Sequence, residues 1–307
     1  MNEFLSLIFT PEFGYSVIRV TTPILFAALG AVIANTAGIA NIALEGLMLI
    51  AALVGVIVST LTGSAWVGLG AAVFAGAVFA GILAFFTLYY KTNVILGGIA
   101  LNLFASGGTV FFLYLFAHDK GTSASMASKV LPQIQIPIIK EIPVLGQILS
   151  GHNILTYVAM IAVIVIYVMF KRTAFGYRLR AVGENPNAAD SVGINVMRTK
   201  ATALILSGAL AGFGGAFMSM GYVSWFARDM VAGRGWIAIA AEAMGKSSTL
   251  GTSLTSLLFG ITDAATNTLR PLGIPAELLG TLPYVATLLG LVAYALTDHK
   301  KKKTRGV

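Results

Sequence analysis

The chain contains no cysteine among its 307 residues and only three histidines, at positions 118, 152 and 299. The lack of cysteine excludes disulfides, thiolate metal sites and a thiol nucleophile. The histidines lie far apart and do not have the spacing of metal ligands. We therefore predict neither a metal site nor a catalytic residue in this chain.

A nucleotide-binding loop is missing as well. The nearest match is Gly245-Lys246-Ser247, but Ala240 occupies the position where a P-loop has its first glycine. The chain is therefore not expected to bind ATP or any other cofactor, and we predict that it is not an enzyme. If it pumps a substrate, the energy comes from another subunit.

Charged residues are scarce, at 10% of the chain, whereas hydrophobic residues make up 57%. This composition predicts an all-α polytopic membrane protein, with one transmembrane domain over residues 1–307. Apolar runs long enough to span a bilayer lie near 17–35, 39–60, 65–90, 94–117, 153–170, 201–223 and 278–297. With broken or re-entrant segments included, about eight to ten membrane helices are expected.

One apolar region, residues 235–261, is interrupted by Glu242 and by the polar residues 245–248. Each half is too short to cross as one straight helix, so a broken or re-entrant helix is expected. The basic segments 171–200 and 298–307 are placed in the cytoplasm, because short loops rich in Lys and Arg resist translocation. Loop 118–150 then falls on the extracytoplasmic side.

A polar island at residues 183–194, within the basic segment, has the features of a short capped helix. Asn185 suits the N-cap, Pro186 the first helical position and Gly193 the C-terminal stop. Ala188, Ala189 and Val192 are expected to share one smooth apolar face. The island is interpreted as a docking surface for a soluble partner; the alternative is a merely solvated basic loop.

Two acidic residues, Glu45 and Glu242, lie within apolar runs, where an ionisable group is costly. They either line a polar substrate path or accept hydrogen bonds from the exposed amides of a broken helix. Asn41 and Asn102 have the same two interpretations, since an amide suits both a polar substrate and interhelical bonding. The echo of residues 42–45 (IALE) in 239–242 (IAAE) also suggests two related halves.

Several of these segments together resemble the permeases of ABC importers in the branched-chain amino acid, ribose and nucleoside group. The resemblance rests on residues 183–189 (GENPNAA) with 193–195 (GIN), on 36–46 (TAGIANIALEG), and on 235–240 (GWIAIA) with 258–260 (LFG). Segment 93–102 is most similar to permeases of bacterial nucleoside importers that work with a basic-membrane-type lipoprotein. Residues 244–249 (MGKSST) depart from the family's usual pattern at that place.

The resemblance implies a role for specific residues and a set of partners. The coupling loop to an ATPase corresponds to Gly183, Glu184, Asn185, Pro186, Ala188, Ala189, Val192 and Gly193, with helix 186–192 as the lever. The substrate path is assigned to Asn41, Glu45, Asn102 and Glu242. The implied partners are an ATPase with two nucleotide-binding cassettes that holds ATP and Mg, a second related permease, and an extracytoplasmic lipid-anchored binding protein. The location implied is the bacterial plasma membrane.

Three other interpretations remain open. The same importer class could carry a simple sugar or a branched-chain amino acid. A proton-coupled secondary transporter would use Glu45 and Glu242 as a proton-sensitive pair and would need no capped cytoplasmic helix. A structural membrane scaffold would tolerate the loss of both carboxyl groups.

Overall fold

The computed structural model describes residues 10–137, 142, 144–269 and the single positions 285 and 292. The predicted span 278–297 and the basic tail 298–307 therefore lie outside the described residues, apart from those two positions. The α-helices are α1 (Pro11–Thr36), α2 (Leu44–Thr62), α3 (Ala65–Leu88), α4 (Val94–Ala117), α5 (Leu145–Leu149), α6 (Ile154–Arg172), α7 (Ala174–Glu184), α8 (Pro186–Ser191), α9 (Val196–Phe217), α10 (Arg234–Met244) and α11 (Thr249–Leu269). A π-helical turn, Met218–Tyr222, extends α9.

Six of these helices are long and apolar enough to cross a membrane: α1, α2, α3, α4, α6, and α9 with its π turn. In the described part of the chain there is no strand, and the only β-type pairing is two isolated bridges. The expected all-α polytopic membrane fold is confirmed. The interruption predicted within 235–261 is present as the four residues between α10 and α11.

The centre of the protein consists of α1 and α9 packed with α2 and α3. Close packing depends on small residues in α9, because a β-carbon added at Gly212 would lie 2.8 Å from the Cα of Val73 in α3. Small residues at the interface commonly allow helices to approach each other closely in lipid. Phe26 of α1 stacks on Phe213 of α9 with ring centroids 5.4 Å apart. The centre is thus closely packed, and α10 and α11 lie against it through α1.

The segment after α4 and the segment after α9 lie side by side at one end of the bundle. The backbone N–H of Ser123 donates to the carbonyl of Phe226 at 2.8 Å, and that of Leu131 donates to Met220 at 2.9 Å. Thr122 and Ala227 form an isolated antiparallel bridge. Residues 122–131, within the loop predicted on the extracytoplasmic side, are therefore bonded to the chain that leads from α9 into α10.

At the same end, His152 is almost fully buried, with its ring stacked on Tyr15 at 4.0 Å. Its Nε2–H donates to the carbonyl of Ile148 at 2.8 Å. Burial lowers the pKa of His152 below its usual value, and the charge of Arg19 acts in the same direction. The folded protein therefore binds fewer protons here than the unfolded chain.

Stability is expected to fall as the pH drops below about 6.5. In that range His152 is protonated in the unfolded chain but remains neutral in the folded protein. The loss approaches about 1.4 kcal/mol for each unit by which the pKa is lowered. Thermal unfolding in detergent at about pH 7.5 and 5.5 measures it. The difference in stability between the two pH values should be smaller in His152→Gln and unchanged in the control His118→Gln, whose side chain is exposed. An equal difference in the unaltered protein and both variants would contradict the role of His152.

Candidate functional site

Asn41 fixes the conformation of the non-helical chain between α1 and α2, residues 37–43. The Asn41 Nδ2 donates to Ser207 Oγ at 2.9 Å, and the Asn41 Oδ1 accepts from the Ala43 N–H at 3.1 Å. Asn41 itself is 3% exposed. Asn41 falls within the predicted apolar run 39–60, but it lies in the break before α2, where it satisfies backbone and hydroxyl partners.

Asn102 joins the middle of α4 to the beginning of α2. Its Oδ1 accepts from the Gly46 N–H at 2.8 Å, and its Nδ2 donates to the Ile42 carbonyl at 2.9 Å. A β-carbon at Gly46 would lie 2.8 Å from that Oδ1, so the two helices meet closely. Asn102 therefore satisfies both an amide and a carbonyl that the break leaves without a helical partner.

Glu45, in the first turn of α2, reaches across to the beginning of α10. Its two carboxyl oxygens accept from the backbone N–H groups of Gly233, at 2.8 Å, and Gly235, at 2.7 Å. The N-terminus of a helix has such free amides and a partial positive charge, which a carboxylate stabilises. The prediction that a carboxyl group serves the exposed amides of a broken helix is confirmed for Glu45.

Glu242 lies at the other end of α10 and is 5% exposed. Its Oε1 accepts from Asn35 Nδ2 at 2.8 Å and from the hydroxyl of Ser247 at 2.5 Å. Asn35 Nδ2 also donates to Ser247 Oγ at 2.9 Å. The last turn of α1 is thus bonded both to α10 and to the break that follows α10.

The four residues assigned to a substrate path therefore form two groups. Asn41, Glu45 and Asn102 surround the beginning of α2, whereas Glu242 lies with Asn35 at the opposite end of α10, an 11-residue helix about 16 Å long. Glu45 is in the first turn of its helix and Glu242 in the last, so the two echoed tetrads do not occupy equivalent positions. The structure does not bring the two carboxyl groups together as a pair.

An ion pair between α10 and α11 was not predicted from the sequence. Arg234 Nη2 lies 3.0 Å from Asp263 Oδ2, and the two side chains are only 13% and 14% exposed. Arg234 also donates to the carbonyl of Val231 at 3.2 Å. The signal was available, because Asp263 is an ionisable residue within the apolar stretch that forms α11.

The polar island has the predicted capped helix, formed by α8. Asn185 Oδ1 accepts from the Ala188 N–H at 3.0 Å, Pro186 occupies the first helical position, and Gly193 follows with φ +83°. The Ile194 N–H closes the helix by donating to the Ala189 carbonyl at 3.0 Å. The predicted cap and stop are both present.

The prediction of the apolar face of α8 is wrong for one of its three residues, Ala189. Ala189 is 3% exposed and packs towards the protein, while Ala188 is exposed and Val192 is 76% exposed. One residue along an α-helix turns the side chain by about 100°, so neighbouring residues 188 and 189 cannot share a narrow face. The surface available to a partner is formed by Ala188 and Val192.

Residues 15–296 match the model of a protein family described as "Branched-chain amino acid transport system / permease component". The chain belongs to this family. It is accordingly a transport subunit and a multi-pass membrane protein, in agreement with its six candidate spans.

Individual relatives extend over nearly the whole chain. The nucleoside ABC transporter permease protein NupC of Lactococcus lactis is 34% identical over 89% of both chains. The guanosine ABC transporter permease protein NupQ of Bacillus subtilis is 33% identical over 89% of this chain and 88% of its own. The putative glucose ABC transporter permease protein TsgC13 of Haloferax volcanii is 31% identical over 89% of this chain and 83% of its own.

Proposed function

We propose that the chain is the transmembrane permease subunit of an ATP-driven importer of nucleosides. The observation that supports this most directly is α8, a short helix capped by Asn185, ended by Gly193 and exposing Ala188 and Val192 within a basic segment. The nucleoside and guanosine permeases among its relatives support the substrate class. Segment 171–200 is then cytoplasmic, and loop 118–150 faces the other side.

The proposed complex contains three further components. An ATPase with two nucleotide-binding cassettes holds ATP and Mg, a second related permease completes the membrane channel, and an extracytoplasmic lipoprotein delivers the substrate. Arg178, Arg180 and Arg198 surround the coupling loop, which comprises residues 183–193. Their positive charge suits acidic residues of the ATPase or anionic lipid headgroups.

The substrate path is proposed to run past the chain between α1 and α2, residues 37–43, and along the half-helix α10. Four side chains would shape this path by hydrogen-bonding to the non-helical backbone beside it: Asn41, Glu45, Asn102 and Glu242. Irregular backbone at membrane depth needs such partners. Glu45 and Asn102 are partly exposed and are the two that a passing polar ligand can approach.

Co-purification with an ATPase and a second permease tests the assembly. ATP-independent, concentrative nucleoside uptake by this chain alone in liposomes would contradict it. The alternative substrate, a sugar, is favoured by the similarity to TsgC13. Binding of nucleosides, simple sugars and branched-chain amino acids to the partner lipoprotein, measured side by side, decides between them; nucleosides are expected to bind.

The coupling role of α8 is tested by Ala188→Glu. A carboxylate on the exposed docking face is expected to lower uptake about tenfold, equivalent to about 1.4 kcal/mol of lost contact energy, while membrane insertion remains normal. Uptake by the purified complex in liposomes is the measurement. The matched control is Ala127→Glu, an exposed alanine in the loop predicted to lie outside, which should transport normally; equal uptake by both variants would contradict the coupling role.

Gly193→Val tests the stop of α8 separately from its surface. Gly193 has φ +83° and open space around it, so a valine there is strained by its backbone conformation alone, at a cost of about 1–3 kcal/mol. The coupling ratio, which is the number of nucleosides transported per ATP hydrolysed, is expected to fall. Gly70→Val, at an equally open position within α3, is the control; a normal coupling ratio in Gly193→Val would argue against a rigid lever.

A further inference from the structure

Backbone of the coupling loop packs directly against backbone at the end of α1. Gly183 lies against Thr36 and Gly38, so closely that a β-carbon at Gly183 would overlap the Thr36 carbonyl. From the other side, a β-carbon at Gly38, which has φ +71°, would lie 3.1 Å from the Gly183 Cα. Contact of this kind leaves no side chain to rearrange, so a displacement of Gly183 is passed directly to the end of α1.

The connection from α8 to Gly183 is short and fixed. Asn185 ends α7 by donating its N–H to the Ala181 carbonyl at 3.1 Å, and the same residue begins α8 through its side chain. Val182, next to Gly183, is fully buried. The two helices therefore share one residue as stop and cap, so a movement of α8 acts directly on the end of α7.

From the end of α1 the contacts continue to α10 and α11. Asn35 immediately precedes Thr36, and its Nδ2 donates both to Glu242 Oε1 and to Ser247 Oγ. Glu242 is in the last turn of α10, and Ser247 is in the break before α11. One amide group thus joins the end of α1 both to α10 and to the break that follows α10.

The break between α10 and α11 is itself under backbone strain. Lys246 and Ser247 have φ of +55° and +52°, which is unfavourable for two adjacent residues other than glycine. Strained backbone of this kind persists only when its surroundings hold it, and it is common at switch regions. The side-chain bonds of Ser247 to Asn35 and Glu242 hold it here together with the backbone bond from the Ser247 N–H to the Glu242 carbonyl, at 3.2 Å.

We infer that Gly183, Thr36, Asn35 and Glu242 form a continuous contact path that transmits movement of α8 to the break between α10 and α11. Asn35, Glu242 and Ser247 are positioning residues for transport, and the break is the hinge through which ATP-driven movement opens the path. The inference rests on the proposed coupling role of α8.

In the assembled complex, Asn35→Ala removes the bond between α1 and Glu242, and Ser247→Ala removes the side-chain bonds that join the break to Asn35 and Glu242. Nucleosides transported per ATP hydrolysed should fall about fivefold or more, because a coupling of 1–3 kcal/mol corresponds to roughly 5–150-fold. ATP hydrolysis itself should remain within about twofold of normal, being carried out by another subunit. Ser247→Ala removes only a hydroxyl group and guards against loss of folding in Asn35→Ala.

The control is Asn93→Ala, which removes the side-chain cap of α4 but has no contact with the path. A normal coupling ratio in both Asn35→Ala and Ser247→Ala, or an equal fall in Asn93→Ala, would overturn the inference. Ala188→Glu separates it from the proposed function. If Ala188→Glu uncouples transport and the path variants do not, only the path is wrong; if Ala188→Glu also transports normally, the coupling role itself fails.

Combining Asn35→Ala with Gly183→Ala provides a second test. If both residues belong to one path, the double variant should have a coupling ratio only slightly lower than that of the more affected single variant. The reason is that each single change already interrupts the path. Fold-effects that multiply would show that the two residues act independently and would overturn the path.

Discussion

Glu45→Ala is expected to destabilise the protein by about 2–6 kcal/mol and to abolish most transport. The change removes the acceptor of two partly buried amides, those of Gly233 and Gly235, and each unsatisfied group costs about 1–3 kcal/mol. Glu45→Gln keeps one acceptor oxygen and should lose about half as much. Chemical or thermal unfolding in detergent measures the stability, and uptake in liposomes measures the function.

The matched control is Glu12→Ala. Glu12 is also an acidic residue in the first turn of a helix, but it is exposed at the beginning of α1. Its loss should change stability by less than about 0.5 kcal/mol. If Glu45→Ala were as stable as Glu12→Ala, the carboxyl group would not be what holds α10 in place.

Asp263→Ala is expected to cost about 3–5 kcal/mol, because it leaves the side chain of Arg234 buried without its ionic partner. Replacing both residues together, with Arg234→Met and Asp263→Leu, should restore much of that loss, since apolar side chains of similar size tolerate the site. Unfolding of the single and double variants forms a double-mutant cycle that isolates the pair.

A second ion pair in the same region serves as the comparison. Arg228 lies 3.4 Å from Asp229, but these side chains are 64% and 56% exposed. Arg228→Ala should therefore cost no more than about 1 kcal/mol. A loss for Asp263→Ala no larger than that for Arg228→Ala would show that the pair between α10 and α11 contributes little to joining them.

Local rules were sufficient to predict the long helices, the short helix α8 and the break between α10 and α11. The cap at Asn185, the stop at Gly193 and the break after Met244 depend on residues close in sequence, so they could be read directly from the chain. The apolar runs likewise predicted the six described spans, with boundaries a few residues away from those observed.

Contacts between distant segments could not be predicted in the same way. The partners of Glu45 lie 188 and 190 residues away, and the bond between Asn35 and Glu242 joins residues 207 apart. A sequence shows that a carboxyl group at membrane depth needs partners, but the packing of whole helices decides which amides reach it. The inward rotation of Ala189 depends on packing for the same reason.

The structure changes the meaning of the polar residues within the apolar runs. Each of the four assigned to a substrate path has protein partners, and Glu45 and Glu242 hold opposite ends of the half-helix α10. The same end of α1 that binds Glu242 also contacts the coupling loop at Gly183. Substrate passage and ATP-driven movement are thereby proposed to meet at α10.

Nucleoside uptake by the complete complex in liposomes tests the central claim most directly. The binding protein and radiolabelled nucleoside are supplied on one side and ATP with Mg on the other, with the proton gradient collapsed by an ionophore. The account predicts concentrative uptake that requires ATP, persists without the gradient and is lost in Ala188→Glu. Uptake that stops with the gradient and proceeds without ATP would contradict it and would favour a proton-coupled transporter.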